Sequence, residues 1–223
     1  TSNVYITTFE VPVRVGENVN ASLTPTSQTV NLSIGETIAT SVVIKNEGNT
    51  PATFAVYLDT GSAGEIDFVL ETPTVVQIGA GYESTVRVRL TPTSDALAAA
   101  NYFATVWVSN AESGLNLSAN ILGNISEQHG LVVSTIEEIG VVPGEVQTVD
   151  YSLVNNGNLV EDVVLEISVA ENWTVTPASL PLELGVGDTY TDSFDVDVPA
   201  LGDDDSMVNG AVYPVTMRVL NAT

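Results

Sequence analysis

The chain has 223 residues, of which 28 are acidic and five basic, giving a formal charge of −23, and it contains no cysteine. That balance repels nucleic acid and anionic membranes, and the missing thiols exclude both a disulfide framework and a cysteine nucleophile. Apolar residues make up 44% of the chain, enough for the cores of two ordinary domains, with no apolar run near the roughly 18 residues of a membrane span. The acids are scattered, which fits a salt-loving source, a chain binding many divalent cations, or a surface protein kept soluble by self-repulsion. A single lysine, Lys45, favours the first. The sequence opens at Thr1 with neither methionine nor apolar leader, so a processed exported chain and an excised fragment both fit.

In chain order, the first predicted element is a strand over Val4–Val15. Its odd positions, Tyr5, Thr7, Phe9, Val11, Val13 and Val15, form an apolar face, and Ile6, Thr8, Glu10, Pro12 and Arg14 lie opposite. Further period-two runs follow at Thr37–Lys45, Ala52–Leu58, Thr85–Leu90, Tyr102–Val108 and Leu115–Ile121. Ser94–Ala100 is the one stretch with the composition of a helical turn. After a seam at Ser126–Gly130 come Thr148–Val154, Val160–Val169, Ser193–Val198 and Val212–Leu220. Short alternating runs divided by Gly, Asn, Pro and Asp predict an all-β chain. Two tandem β-sandwiches, over 20–127 and 128–223, are expected to follow an N-terminal donor-type strand over 1–19.

The two halves repeat. Gly35-Glu36 leads to Asn46-Glu47-Gly48-Asn49, and Gly144-Glu145, 109 residues on, leads to Asn155-Asn156-Gly157-Asn158. Tyr102–Asn110 corresponds to Tyr213–Asn221. A strand-like segment, Leu115–Ile121, follows the first copy, and nothing like it follows the second.

The stretch from Gly144 to Val219 resembles the immunoglobulin-like domains of the NPCBM-associated family of archaeal and bacterial surface proteins. The shared marks are Gly144-Glu145, Val154–Asn158, Glu171-Asn172-Trp173-Thr174-Val175, Leu184–Asp188, Phe194–Pro199 and Tyr213-Pro214-Val215. The first half lacks the Asn-Trp-Thr element and has Ile66-Asp67-Phe68 there. The resemblance implies a fold and little about function, because such domains serve as spacers, adhesive modules and structural repeats.

No acid, base and nucleophile assemble into a catalytic set, so the chain is not expected to be an enzyme and no cofactor is expected. His129 reads as a solvated linker residue and Lys45 as a surface residue. Asp203-Asp204-Asp205, with Asn209 near, is the best metal candidate, for structural calcium, although a solvated loop is the blander reading. Six Asn-x-Ser/Thr sequons, at Asn20, Asn31, Asn116, Asn124, Asn172 and Asn221, are candidate glycosylation sites of an exported protein. Arg87 and Arg89 make a positive ridge where Asp195 and Asp197 are expected to make a negative one, either a docking face for another subunit or ordinary strand surface. No platform of coplanar aromatics for a glycan is legible.

The front strand with no home and the second sandwich without a final strand predict head-to-tail insertion of residues 4–15 into a neighbour. In architecture this resembles donor-strand pili and the thread-like filaments of archaeal surfaces. The expected function is a structural subunit of an extracellular cell-surface filament, with copies of itself as partners and no nucleic acid or membrane insertion. The alternative is a repeat pair from a longer surface-layer protein, adhesin or secreted enzyme.

Overall fold

The computed structural model describes residues 9–61, 64–98, 101–136, 138–170, 172–200, 202 and 210–222. Among these residues the chain is all-β and contains no helix. Nine strands come first: β1 (Ala21–Thr24), β2 (Ser27–Leu32), β3 (Ile38–Asn46), β4 (Ala52–Asp59), β5 (Ile66–Leu70), β6 (Val75–Ile78), β7 (Glu83–Pro92), β8 (Tyr102–Asn110) and β9 (Leu115–Ile125). Seven follow: β10 (Leu131–Thr135), β11 (Val146–Asn155), β12 (Glu161–Ser168), β13 (Thr174–Thr176), β14 (Ser179–Leu184), β15 (Thr189–Asp197) and β16 (Thr216–Asn221). Ser94–Ala100 is not helical where it is described, and its Ala96 N–H closes a single turn on Thr93 O at 3.3 Å. A lone turn in a Pro-flanked connection cannot meet the cost of helix nucleation.

Contacts divide the chain into two compact units, Thr1–Thr91 with Asn101–Gly123, and Pro92–Ala100 with Asn124–Thr223. The first is a sandwich of a four-stranded sheet, β1-β3-β7-β5, and a five-stranded sheet, β2-β9-β8-β4-β6. Alternation places Val42, Ile44, Phe54, Val56, Val86, Val88, Leu90, Ala104, Val106, Val108 and Ile121 in its core, all at most 1% exposed. Each large apolar side chain buried this way contributes roughly 1.5–3 kcal/mol. The second unit pairs a four-stranded sheet, β10-β11-β15-β13, with a three-stranded one, β14-β12-β16. Val149, Tyr151, Leu153, Val163, Leu165, Ile167, Trp173, Leu184, Phe194, Val196 and Val198 form its core.

The repeated Asn-x-Gly-Asn turns are built alike. Asn46 and Asn155 are 0% exposed. Asn46 Nδ2 donates to Thr50 O and Ile78 O, and its Oδ1 accepts from Gly48 N–H, all at 2.9 Å. Asn155 Nδ2 donates to Leu159 O at 2.8 Å and Leu184 O at 3.1 Å, and its Oδ1 accepts from Gly157 N–H at 2.8 Å. One side chain thus ties a turn to the neighbouring sheet. Glycine is required beside it: a Cβ on Gly48 would sit 2.2 Å from Asn18 O, and one on Gly157 2.4 Å from Gln128 O.

Candidate functional site

The five-stranded sheet of the first unit and the three-stranded sheet of the second share a register. In the first unit β4 meets β8 with Val56 opposite Val108, and in the second β12 meets β16 with Leu165 opposite Val219. β6 and β14 flank them equivalently. Beyond β8 the first unit continues with β9 and β2, whereas the second unit's sheet ends at β16 among the described residues.

Three local differences follow from that open edge. Residues Tyr102, Phe103 and Ala104 of β8 find their partners in β9, through Gly123, Leu122 and Ile121, because the pairing with β4 starts only at Thr105. Their counterparts, Tyr213, Pro214 and Val215, lie outside any strand, and β16 begins at Thr216 instead of at Val212 as the alternation predicts. Residues 138–142, which follow β10 as β2 follows β1, also form no strand, and Ile139 and Val142 are exposed. Lastly, β16 is more open than β8: its inward Met217 and Val219 are half-buried, while Val106 and Val108 are fully buried. A strand deprived of one ladder neighbour keeps only the part held by the other.

Along this edge the core is uncovered. At one end lies a cavity of about 160 Å³, lined by Ile139, Val141, Val149, Trp173, Tyr213 and Val215 among others. Trp173 and Tyr213 rings pack there with centroids 5.1 Å apart. The Trp173 indole N–H is buried and has no hydrogen-bond partner among the described residues. At the other end a shallower groove runs between Leu131, Val133, Val163 and Val219. Its rim holds His129, whose Nδ1 lies 2.8 Å from Oε1 of the buried Glu161. His129 is therefore tied to the unit rather than merely solvated.

The predicted front strand is placed otherwise than its alternation implies. Tyr5 lies outside the described residues, and residues 9–20 form no strand. Phe9, Val11, Val13 and Val15 are all exposed, Phe9 by 84%. An apolar face of this kind is unsatisfied until something covers it.

The charged ridges resolve differently from the sequence reading. Arg87 and Arg89 both approach Glu71, at 3.6 and 3.5 Å, and so have a partner within their own unit. Counting along the pairs that start from Asn46 and Asn155, Arg89 falls at the place of Asp195, Arg87 at that of Ser193, and Asp197 at that of Thr91. One position, not two, thus exchanges positive for negative, because the sequence match is displaced by two residues in the sheet. Asp195 accepts from Thr148 Oγ1 at 2.7 Å. Asp192 takes the place of Val86 and accepts from the Tyr190 hydroxyl at 2.7 Å. That bond holds the Asp192 carboxyl below its usual range and, with burial, pushes the Tyr190 hydroxyl up to about 12.

All six sequon asparagines are exposed, and Lys45 is too. Asp203, Asp204, Asp205 and Asn209 lie outside the described residues. Sequence reasoning missed one aromatic pair: Tyr57 and Trp107 face each other across β4 and β8, ring planes 11° apart and centroids 6.1 Å apart, on the outer face of the sheet. The alternation of β8 put Trp107 on one face with Phe103 and Thr105 without showing which face is inward, and its partner depends on register, which a sequence does not show.

The fold defines an all-β protein of two immunoglobulin-like sandwiches, the smaller sheet of the second ending at β16 among the described residues. No family model matches the sequence, and none of the curated proteins matches it. Similar solved structures include the CsuC–CsuE chaperone–tip adhesion subunit pre-assembly complex from archaic chaperone-usher pili of Acinetobacter baumannii, at 15% identity. That match covers 78% of this chain and 89% of the other, with a TM-score of 0.35. The class 5 fimbriae chaperone CfaA is similar at 15% identity over 92% and 93% of the chains, TM-score 0.35. The Escherichia coli chaperone DraB is similar at 12% identity over 82% and 88%, TM-score 0.34. A likeness of this degree carries no argument about what the chain does.

Proposed function

We propose that the chain is a structural subunit of an extracellular filament, polymerised head-to-tail by insertion of its N-terminal strand along β16 of the next copy. The observation that carries this reading is the match between the open β16 edge, with its apolar groove, and the uncovered apolar face of residues 9–15. Strand addition supplies main-chain hydrogen bonds as well as side-chain burial. Covering Phe9, Val11, Val13 and Val15 contributes on the order of 6–12 kcal/mol, taking 1.5–3 for each. Association costs roughly 4–15 kcal/mol, so the main-chain bonds decide how tight the joint is. A contact between unlike surfaces does not close on itself and so propagates. The likeness of Gly144–Val219 to immunoglobulin-like domains of surface proteins fits this reading, as do the exposed sequons.

The test is size exclusion and negative-stain microscopy of the full chain and of a chain lacking residues 1–15. Polymers from the full chain, absent after the deletion and capped by added peptide Val4–Val15, are the expected result. A folded monomer indifferent to the deletion would overturn the proposal in favour of a repeat pair from a longer surface protein.

A further inference from the structure

In both units the second asparagine of the Asn-x-Gly-Asn turn grips the chain that enters the sandwich. Asn49 Nδ2 donates to Gly16 O at 2.9 Å, and Asn18 N–H donates to Asn49 Oδ1 at 2.7 Å. Asn158 Nδ2 donates to Ser126 O at 2.9 Å, and Gln128 N–H donates to Asn158 Oδ1 at 2.7 Å. The backbone repeats this, with Asn49 N–H on Asn18 O and Asn158 N–H on Gln128 O, both at 3.0 Å. Gly16 and Ser126 are thus equivalent, and so are the residues just before them, Val15 and Ile125. Ile125 is the last residue of β9, a strand with no counterpart in the second unit among the described residues.

Resting on the strand-insertion reading above, we infer that the strand ending at Val15 seats in a second copy in one register, with Val13 opposite Tyr213, Val11 opposite Val215 and Phe9 opposite Met217. These are the places that Gly123, Ile121 and Ala119 hold against Tyr102, Ala104 and Val106 in the first unit. Side-chain size agrees. A Cβ on Gly123 would lie 2.5 Å from Ile66 Cδ1, so a side chain there would have to displace the end of the Ile66 side chain. The equivalent place in the second unit, beside Tyr213 and Trp173, opens on the cavity of about 160 Å³. Glycine stands where the space is filled and valine where it is open.

The prolines agree as well. Asn120 N–H donates to Thr26 O, away from β8, so even-numbered residues of β9 turn their main-chain groups away from that strand. Leu122 and Phe103 are one such pair, and their counterparts are Pro12 and Pro214. Both imino acids fall together where no N–H is needed between the two strands. Slipping by one residue would put Pro12 where the ladder needs a donor, and would turn the apolar face outward.

Because the chain has no cysteine, introduced pairs report contacts cleanly. Glu10 and Thr216 are exposed and fall opposite each other in this register, as Asn120 and Thr105 do. Opposite residues of this kind have Cα atoms about 4.5 Å apart, within the range of about 4.4–6.8 Å that a disulfide spans, while diagonal neighbours lie near 7–8 Å. The full-length Glu10→Cys/Thr216→Cys chain is expected to give a covalent ladder on mild oxidation, at least tenfold stronger than Glu10→Cys/Arg218→Cys. A stronger ladder from the second pair, or none from either while microscopy still shows polymers, would overturn the register and leave strand insertion standing. Absence of polymers from the unmodified chain would overturn both.

Discussion

Asn155→Ala is expected to destabilise the second unit by roughly 3–9 kcal/mol, because it strands three main-chain groups at about 1–3 each. The carbonyls of Leu159 and Leu184 and the N–H of Gly157 have the Asn155 side chain as partner, and that side chain is wholly buried. Against a typical domain stability of about 5–15 kcal/mol, such a loss approaches unfolding. Asn46→Ala is expected to do the same to the first unit. Each unit carries one tryptophan, Trp107 in the first and Trp173 in the second. Urea unfolding followed by fluorescence of single-tryptophan variants separates the two. Asn155→Ala should move the Trp173 midpoint and leave that of Trp107, with Asn46→Ala giving the converse. Shifts below about 1 kcal/mol would mean that the turns are not held as described.

Val11→Glu is expected to leave both transitions within about 0.5 kcal/mol of the parent, since surface substitutions rarely exceed that. Val11 is exposed within its own chain. Assembly should respond very differently. The register places this side chain against the core opposite Val215, where an unpaired carboxylate costs several kcal/mol. A fall of at least a hundredfold in polymer at a given concentration is the expected reading from sedimentation. Thr8→Glu, which the sequence alternation assigns to the opposite face, serves as the control and should polymerise nearly as well. Equal loss from both variants would mean that charge, not burial, limits assembly.

Much of this architecture was legible beforehand. Val86, Val88 and Leu90 alternate with Arg87 and Arg89, and alternation that regular fixes both the strand and its inward face. The Asn-x-Gly-Asn repeat marked the equivalent turns, since only glycine tolerates the approach of Asn18 O or Gln128 O. What stayed hidden depends on partners. Val212 to Val215 were expected to continue the strand that follows them, yet among the described residues no neighbour continues their ladder and they form no strand. Val11, Val13 and Val15 read as a strand by their alternation and are exposed coil in their own chain. The Arg87 and Asp195 match looked right by composition and was displaced by two, because like residues recur at every second place in a strand. His129 gave no sign of Glu161, 32 residues away.

The scarcity of basic residues gives the chain an uneven vulnerability to proteases. Of its five lysines and arginines, Lys45 lies in β3, Arg87 and Arg89 in β7, and Arg218 in β16. A trypsin-like enzyme needs an extended, detached stretch of chain, and ladder residues offer one only when the sheet opens. Arg14 alone stands outside every strand, at the root of the apolar front segment. One cut there severs that segment and spares both sandwiches. Under the proposed assembly, free subunits should be trimmed to a non-joining form within minutes, whereas in a seated strand Arg14 follows directly on Val13, the last ladder residue, and should be cut more slowly. Digestion would then sort loose copies from assembled ones, leaving the polymer and retiring whatever failed to join it.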